Sequence, residues 1–173
     1  STVAEIADRP GRWVIKPDDG AGCERTTVLE SWQAARESLA AMPAGRFIAQ
    51  SWVDGDALSL SLLCREGEAR LLSVNRQRMG RDGGRLRLAG LEVNALPDHD
   101  GQFQLLAQRI ARALPSLWGY VGVDLIQTPA GPVVLEINPR LTTSYCGLGQ
   151  ALGVNVAGLV LDLLHSSPGT EPA

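Results

Sequence analysis

Two acidic side chains and one amide occupy positions where two neighbouring strands would bring them together. Glu136 and Asn138 are two residues apart in the apolar segment 133–138, so on a strand their side chains point to the same face. Asp124 lies in the preceding apolar segment, 119–127. The sequence therefore places an acid and an amide on one strand face, and a second acid on the strand before it.

The register of this predicted hairpin decides whether the two acids meet. If residues 128–132 form its loop, Gln127 faces Val133, and Asp124 then lies directly opposite Glu136. Two carboxylates about 5 Å apart repel each other by roughly 3 kcal/mol at an effective dielectric constant near 20. A divalent cation removes this repulsion, and carboxylate and amide oxygens suit Mg²⁺ that keeps some waters and binds phosphate. The pattern predicts a magnesium site, with two hydrated acids on an exposed edge as the alternative.

A lysine and two glycines supply parts for binding a polyphosphate. Lys16 ends the predicted strand 12–17 and is followed by a loop that contains Gly20 and Gly22. Glycine backbone can approach phosphate oxygens closely, and a lysine adds a point charge. No GK[ST] follows the glycines, so the loop is not a Walker A loop. An ordinary surface lysine beside a turn is the alternative.

The segment QSWVDGD closes a later strand with mixed polar and aromatic residues. Its backbone at Gln50, Ser51, Trp52 and Val53 would bind an adenine, and Asp56 would lie near a ribose hydroxyl. An ordinary turn after an edge strand is the alternative interpretation of this spacing.

Three arginines are candidate catalytic residues. Arg76 and Arg78, together with Asn75, lie at the end of the predicted strand 68–77, where they would stabilise a transferring phosphoryl group or bind an anionic substrate. Arg140 follows Asn138 by two residues and can hold a carboxylate or phosphate with two hydrogen bonds. A solvated basic patch is the alternative for the first two. The hydroxyls of LTTSY, which follows Arg140, would line a substrate pocket.

The remaining pattern predicts an α+β protein, with helices segregated between antiparallel strand runs. In the strand ALSLSLLC the leucines are expected inward, and Ser59 and Ser61 outward. The glycine-rich segment after the strand 68–77 predicts a mobile hairpin or lid. The predicted strands are 12–17, 46–53, 57–64, 68–77, 119–127 and 132–138, and the predicted helices are 31–42, 101–114 and 155–165.

Composition excludes several functional classes. The chain has 173 residues and a net charge of −3, which gives no electrostatic reason to expect nucleic acid. Cys23, Cys64 and Cys146 show no CxxC pairing, which favours a reducing, cytoplasmic location and argues against zinc. No apolar run approaches the ~20 residues of a membrane span, and no signal peptide is visible. The chain does not begin with Met, so we expect a fragment of a longer protein.

Four motifs in order, VIKPDDGAGCE, QSWVDGD, GVDL and VLEINPR, resemble the ATP-grasp superfamily of carboxylate–amine ligases from about residue 12 to 165. The resemblance implies two α+β subdomains whose antiparallel sheets grip a nucleotide, here 1–53 and 54–165. The polar, Pro/Gly-rich composition of SSPGTEPA separately predicts a disordered tail at 166–173. It implies ATP and Mg²⁺ as cofactors, with Mn²⁺ as an alternative ion. By the same resemblance Lys16 contacts ATP phosphate and the adenine edge, and residues 50–53 bind adenine. The metal ligands would be Asp124, Glu136 and Asn138, with Arg140 facing the phosphates or the acyl substrate.

The implied reaction joins a small-molecule carboxylate to an amine through an acyl phosphate, with release of ADP and phosphate. KPDDGAGCE, SLSLL, NRQ and EINPRLTTSY are most similar to the branch that joins glutamate to tyramine or tyrosine in methanofuran-type cofactor synthesis, with relatives in methylotrophic bacteria. The resemblance implies an N-terminal domain, which we expect to be missing from this fragment, and this leaves open whether the chain is active alone. A noncatalytic MgATP-binding or regulatory module is the main alternative, and an α+β interaction domain is the third. A homo-oligomer remains open.

Overall fold

A computed structural model of the chain describes residues 10–18, 23–43 and 45–165. Gly20, Gly22 and the predicted tail 166–173 lie outside these residues. The described strand pairings are antiparallel, and the predicted α+β class is confirmed. The elements are β1 (Trp13–Pro17), β2 (Thr27–Leu29), α1 (Trp32–Ala41), β3 (Phe47–Ser51), β4 (Asp56–Arg65), β5 (Glu68–Asp82), β6 (Arg85–Leu96), α2 (Gln102–Ala113), β7 (Gly119–Thr128), β8 (Gly131–Asn138), α3 (Tyr145–Leu152) and α4 (Val156–His165).

The chain divides into two compact units, and β5 and β6 contribute to both. The first unit contains Ser1–Asp54 and Arg78–Gly90. The range Arg78–Gly90 is the tip of the β5–β6 hairpin. The second contains Gly55–Gln77 and Leu91–Ala173. The predicted boundary after residue 53 assigns the hairpin tip to the second subdomain, whereas in the structure the tip belongs to the first unit.

The first unit is a small antiparallel sheet covered on one face by α1. Strand β1 pairs with β3 on one side and β2 on the other, and Thr27 of β2 pairs with Arg85 of β6. Helix α1 begins as predicted, because the Ser31 side chain accepts a hydrogen bond from the Ala34 N–H at 3.1 Å. The core comprises Trp13, Ile15, Trp32 and Ala35.

The second unit is an antiparallel sheet in the order β5-β4-β7-β8, with α2 packed on one face. The alternating leucines of β4 lie on this face as expected. Burying one such leucine contributes about 1.5–3 kcal/mol to stability. The buried residues of this face are Leu58, Leu60, Leu62, Val121, Val123 and Leu125 on the strands and Phe103, Ala107, Ile110 and Ala111 on α2.

Helices α3 and α4 close the second unit. Leu148 of α3 and Val156 of α4 form a buried cluster with Tyr120 of β7. Taken singly, no described helix combines the length and the apolar character of a membrane span, although α3 and α4 together pass that test as a pair bent by 93°.

The second face of this sheet is polar and buried, which corrects one prediction. Ser59 and Ser61 lie opposite the leucine face, but they are 6% and 0% exposed rather than open to solvent. Ser61 is covered by hydrogen-bonding contacts with Tyr120 and Ser144. Alternation correctly predicted which face each serine occupies, but it carries no information about what covers that face.

Candidate functional site

The turn between β7 and β8 is tighter than predicted. Thr128 pairs with Gly131, and Gln127 pairs with Pro132 rather than with Val133. The strands are therefore offset by one residue from the predicted register at this end of the hairpin. Without a correction further along, this offset would move the acids out of alignment.

A β-bulge restores the pairing of the two acids. The register shifts between Asp124 and Leu125, and Leu135 is the extra residue on β8, because Leu125 pairs with Val134 while Asp124 pairs with Glu136. The predicted Asp–Glu pairing is therefore present, although it depends on a bulge that the predicted loop did not contain.

The carboxylate of Asp124 lies at the centre of a chain of hydrogen bonds. Its Oδ1 accepts from Gln77 Nε2 at 2.8 Å, and its Oδ2 accepts from Asn138 Nδ2 at 3.1 Å. Arg140 Nη2 in turn donates to Asn138 Oδ1 at 3.0 Å. Asn138 is buried, at 6% exposure, whereas Asp124 and Glu136 are half-buried. The structure thus brings together the three predicted metal ligands and one predicted arginine.

The chemistry of these donors fits a hard divalent cation. Asp124 and Glu136 face each other across the ladder. Beside them the Asn138 amide turns its Nδ2 to Asp124 and its Oδ1, the atom able to ligate a cation, to Arg140. The described residues contain no group of three or more His, Cys, Asp or Glu side chains that could hold a metal. The candidate ligands here are two carboxylates, Asp124 and Glu136, and the amide of Asn138. Oxygen donors of this kind suit Mg²⁺ or Mn²⁺ that retains water and phosphate ligands.

Arg76 lies on the opposite face of the sheet from Asp124 and Glu136. It pairs with Leu58 of β4, which pairs in turn with Leu125 of β7. Paired residues share a face of the sheet, so Arg76 lies on the leucine face. Asp124 and Gln77 lie on the other face. Strand alternation, which the prediction did not apply to this arginine, explains the difference.

Sequence reasoning missed a buried polar network beside the acids, centred on Asn75. This side chain is 0% exposed. Its Nδ2 donates to the Ser59 carbonyl at 3.2 Å and to Ser61 Oγ at 3.1 Å. Its Oδ1 accepts from Ser73 Oγ at 2.9 Å and from the Asn94 N–H at 3.0 Å. The period-two spacing of these polar residues on β4 and β5 was the signal that could have revealed it.

The hydroxyls of LTTSY hold the loop after β8 against the sheet. Tyr120 Oη lies 3.0 Å from the hydroxyl oxygens of Ser61, Thr142 and Ser144. The Thr142 and Ser144 hydroxyls are also 2.9 Å apart. Gly122 permits this approach, because a Cβ there would overlap the Thr142 methyl group. Two hydroxyls predicted to line a substrate pocket are engaged in positioning the loop that carries Arg140.

In the first unit, two predicted nucleotide-binding residues share one face of the sheet. Lys16 of β1 pairs with Ile48 of β3, and Gln50 of β3 pairs with Val14 of β1. Lys16 and Gln50 are half-buried diagonal neighbours on the face opposite α1. Ser51 is exposed and pairs with Trp13, so its side chain points to the other face.

Trp52 is held by charged side chains of the first unit. The guanidinium groups of Arg12 and Arg81 each lie 4.8 Å from its ring centroid. Its indole Nε1 donates to Asp54 Oδ1 at 2.8 Å, and Arg12 pairs with the same oxygen at 2.6 Å. The hydrogen bond from Trp52, followed by the contact with Arg12, holds the pKa of Asp54 below its ordinary value. The segment predicted to bind adenine is thereby tied to Arg81 of the hairpin tip.

The remaining predicted residues are Val53, Asp56 and Arg78. Val53 is half-buried. Asp56 is exposed at the start of β4, opposite Gln127. Arg78 is exposed in the hairpin tip, where a Cβ on Gly90 would contact its side chain.

Comparison with known proteins identifies the family. A sequence profile of the ATP-grasp domain matches residues 1–144. The chain belongs to the ATP-grasp family. This ATP-grasp chain is 36% identical over 139 residues to the tyramine–L-glutamate ligase of Methanocaldococcus jannaschii, covering 80% of the chain and 39% of the relative.

Two further comparisons agree with this assignment. A Xanthomonas campestris protein named alpha-L-glutamate ligase is 32% identical over 163 residues, covering 91% of the chain and 53% of that protein. The crystal structure of an ATP-grasp superfamily protein from Archaeoglobus fulgidus matches with a TM-score of 0.59 and 28% identity, covering 90% of the chain and 48% of that structure. The chain spans about half the length, or less, of the curated relatives it matches.

Proposed function

We propose that this chain is the ATP-grasp part of an ATP-dependent carboxylate–amine ligase. The observation that carries the proposal is the pairing of Asp124 with Glu136, next to Asn138 and Arg140. A stable sheet gains nothing from two half-buried acids in opposition, whereas a site for a cation and phosphate requires them. The names of both relatives, which are ligases of glutamate, support the same reaction class.

In the proposed reaction a substrate carboxylate oxygen attacks the γ-phosphorus of ATP, and the bond from that phosphorus to the β,γ-bridging oxygen breaks. This step yields an acyl phosphate and ADP. The nitrogen of an amine then attacks the acyl carbon, loses a proton and displaces phosphate, which leaves an amide. Positioning and charge neutralisation are what the protein contributes to such a transfer.

Each proposed role follows from charge and placement. Asp124, Glu136 and Asn138 would hold the cation, which supplies charge neutralisation for the phosphates when bound. Lys16 would place a positive charge on a phosphate, and the backbone of residues 50–53 would bind the adenine. Arg140, whose Nη2 already contacts Asn138 Oδ1, would bind the oxygens of the transferring phosphoryl group with two hydrogen bonds.

The proposed substrates are L-glutamate and tyramine or tyrosine. Glutamate is common to the names of both relatives, and tyramine is named in the relative from Methanocaldococcus jannaschii. We propose that the product serves methanofuran-type cofactor synthesis. The proposed location is the cytoplasm, and the proposed source is a methylotroph. ADP release that requires both glutamate and tyramine tests this assignment, and release with a different acid and amine would contradict it.

Calorimetric titration with the non-hydrolysable analogue AMP-PNP tests the site itself. We expect binding that depends on Mg²⁺ and that weakens about 10- to 100-fold in Glu136→Gln, by analogy with the loss of metal-site partners. Glu68→Gln is the matched control, because Glu68 is an exposed acid at the start of β5 in the same unit. Folded wild-type protein that binds AMP-PNP equally with and without Mg²⁺ would exclude the proposed cation site. Magnesium-dependent binding with no ADP release on any acid–amine pair would favour a noncatalytic module.

A further inference from the structure

We propose that Gln77 is a positioning residue that fixes the carboxylate of Asp124, an inference that rests on the proposed role of Asp124 in binding a cation. Gln77 Nε2 donates to Asp124 Oδ1 at 2.8 Å, and Asn138 Nδ2 donates to Oδ2 at 3.1 Å. Each carboxylate oxygen of Asp124 therefore accepts at least one hydrogen bond. Asn138 is itself a proposed ligand, so Gln77 is the partner whose role is to orient.

Gln77 makes this contact from two strands away. Strand β4 lies between β5 and β7, so the two backbones are about 9–10 Å apart at the usual strand spacing. On the acidic face β4 carries the small side chains of Ala57, opposite Ile126, and Ser59, opposite Asp124. Their size leaves room for the long side chain of a glutamine to cross β4. A shorter amide would not span the distance.

The backbone from which Gln77 extends is held in place. Asn75 is two residues earlier on the same face of β5 and fully buried. Its side chain bonds to the carbonyl of Ser59 on β4 and to the N–H of Asn94 on β6. Because the Asn75 side chain attaches β5 to β4 and β6 two residues before Gln77, the sheet fixes the orientation of the donor.

The uncharged side chain of Gln77 suits the role of orienting the Asp124 carboxylate. A lysine or arginine at the same place would neutralise Asp124 and compete with a cation, whereas an amide orients the carboxylate without reducing its negative charge. Each carboxylate oxygen offers two lone-pair directions, so one accepted hydrogen bond is compatible with binding of a cation by the same group. Outer partners of this kind typically change metal affinity 10- to 100-fold when removed.

The test is binding of Mn²⁺ to this chain, measured by electron paramagnetic resonance in the presence of AMP-PNP. Gln77→Met keeps the length of the side chain and removes the donor, and Gln77→Asn keeps the amide but is one methylene shorter. Gln108→Met is the matched control, because Gln108 is a half-buried glutamine of the same unit with two hydrogen bonds, to Gly67 and Ala69. Asp124→Asn reports on the cation site itself.

We expect both Gln77 variants to bind Mn²⁺ about 10- to 100-fold more weakly, with unchanged AMP-PNP affinity in the absence of metal and melting temperatures no lower than that of Gln108→Met. If one Gln77 variant does not fold, the other decides. If Asp124→Asn loses Mn²⁺ while both Gln77 variants bind like wild type, the role of Gln77 is refuted and the proposed function stands. If Asp124→Asn binds like wild type, the cation site fails, and the inference fails with it.

Discussion

Replacing Gly122 by alanine should destabilise the second unit through one identifiable clash. A Cβ at this position would overlap Cγ2 of Thr142 and lie 3.1 Å from its Oγ1. Thr142 cannot move away freely, because its hydroxyl lies within hydrogen-bond distance of Tyr120 and Ser144. Overpacking of this kind costs about 1–3 kcal/mol. At this chain length each kcal/mol lowers the melting temperature by about 2–4 °C.

The double variant Gly122→Ala/Thr142→Ser tests the cause of that loss. Serine keeps the hydroxyl and lacks the methyl group that the new Cβ would meet, so the double variant should be more stable than the sum of the single changes by at least about 0.5 kcal/mol. Urea unfolding followed by circular dichroism measures all three variants. Gly149→Ala in α3 is the control, because its nearest neighbour is at 3.4 Å, an ordinary contact. Strict additivity of the two changes would refute the packing argument.

Two further predictions concern buried groups. Burial raises the pKa of Cys64 from 9.0 to about 11, so the thiol ionises at lower pH in the unfolded chain than in the folded one. The stabilisation of the folded state that results is complete below pH 9.0 and is lost as the pH rises to about 11. Urea midpoints across this range should fall less steeply in Cys64→Ala, and equal slopes would contradict the assignment. Asn75→Ala should cost about 1–3 kcal/mol by leaving the buried Ser73 hydroxyl without its acceptor, and an unchanged urea midpoint would show that another group replaces the amide.

The acidic hairpin shows how far sequence reasoning reached. Strand alternation correctly placed Glu136 and Asn138 on one face, because a period of two is a local property of an extended chain. The pairing of Asp124 with Glu136 was also correct, yet the predicted loop was too long and a bulge at Leu135 compensated for the difference. Local propensity does not predict where one extra residue will be inserted into a ladder.

Arg76 and the buried network show what sequence reasoning did not reach. The spacing of Arg76 identified a charged residue near a strand end, but its face depends on which residue of β4 it pairs with. The contact of Gln77 with Asp124 joins residues 47 positions apart across an intervening strand. Cross-sheet contacts of this kind require the order and register of three strands, which no local pattern contains.

The sequence alone determined the α+β class, six of the eight described strands and the types of donor at the proposed cation site, because these follow from local periodicity and from the chemistry of individual side chains. Only the tertiary structure decided which donors meet: Gln77 and Asn138 at Asp124, and Arg140 at Asn138. The physical reason is that hydrogen bonds act over about 3 Å, so a shift of one residue in strand register separates groups that the sequence places in the same region.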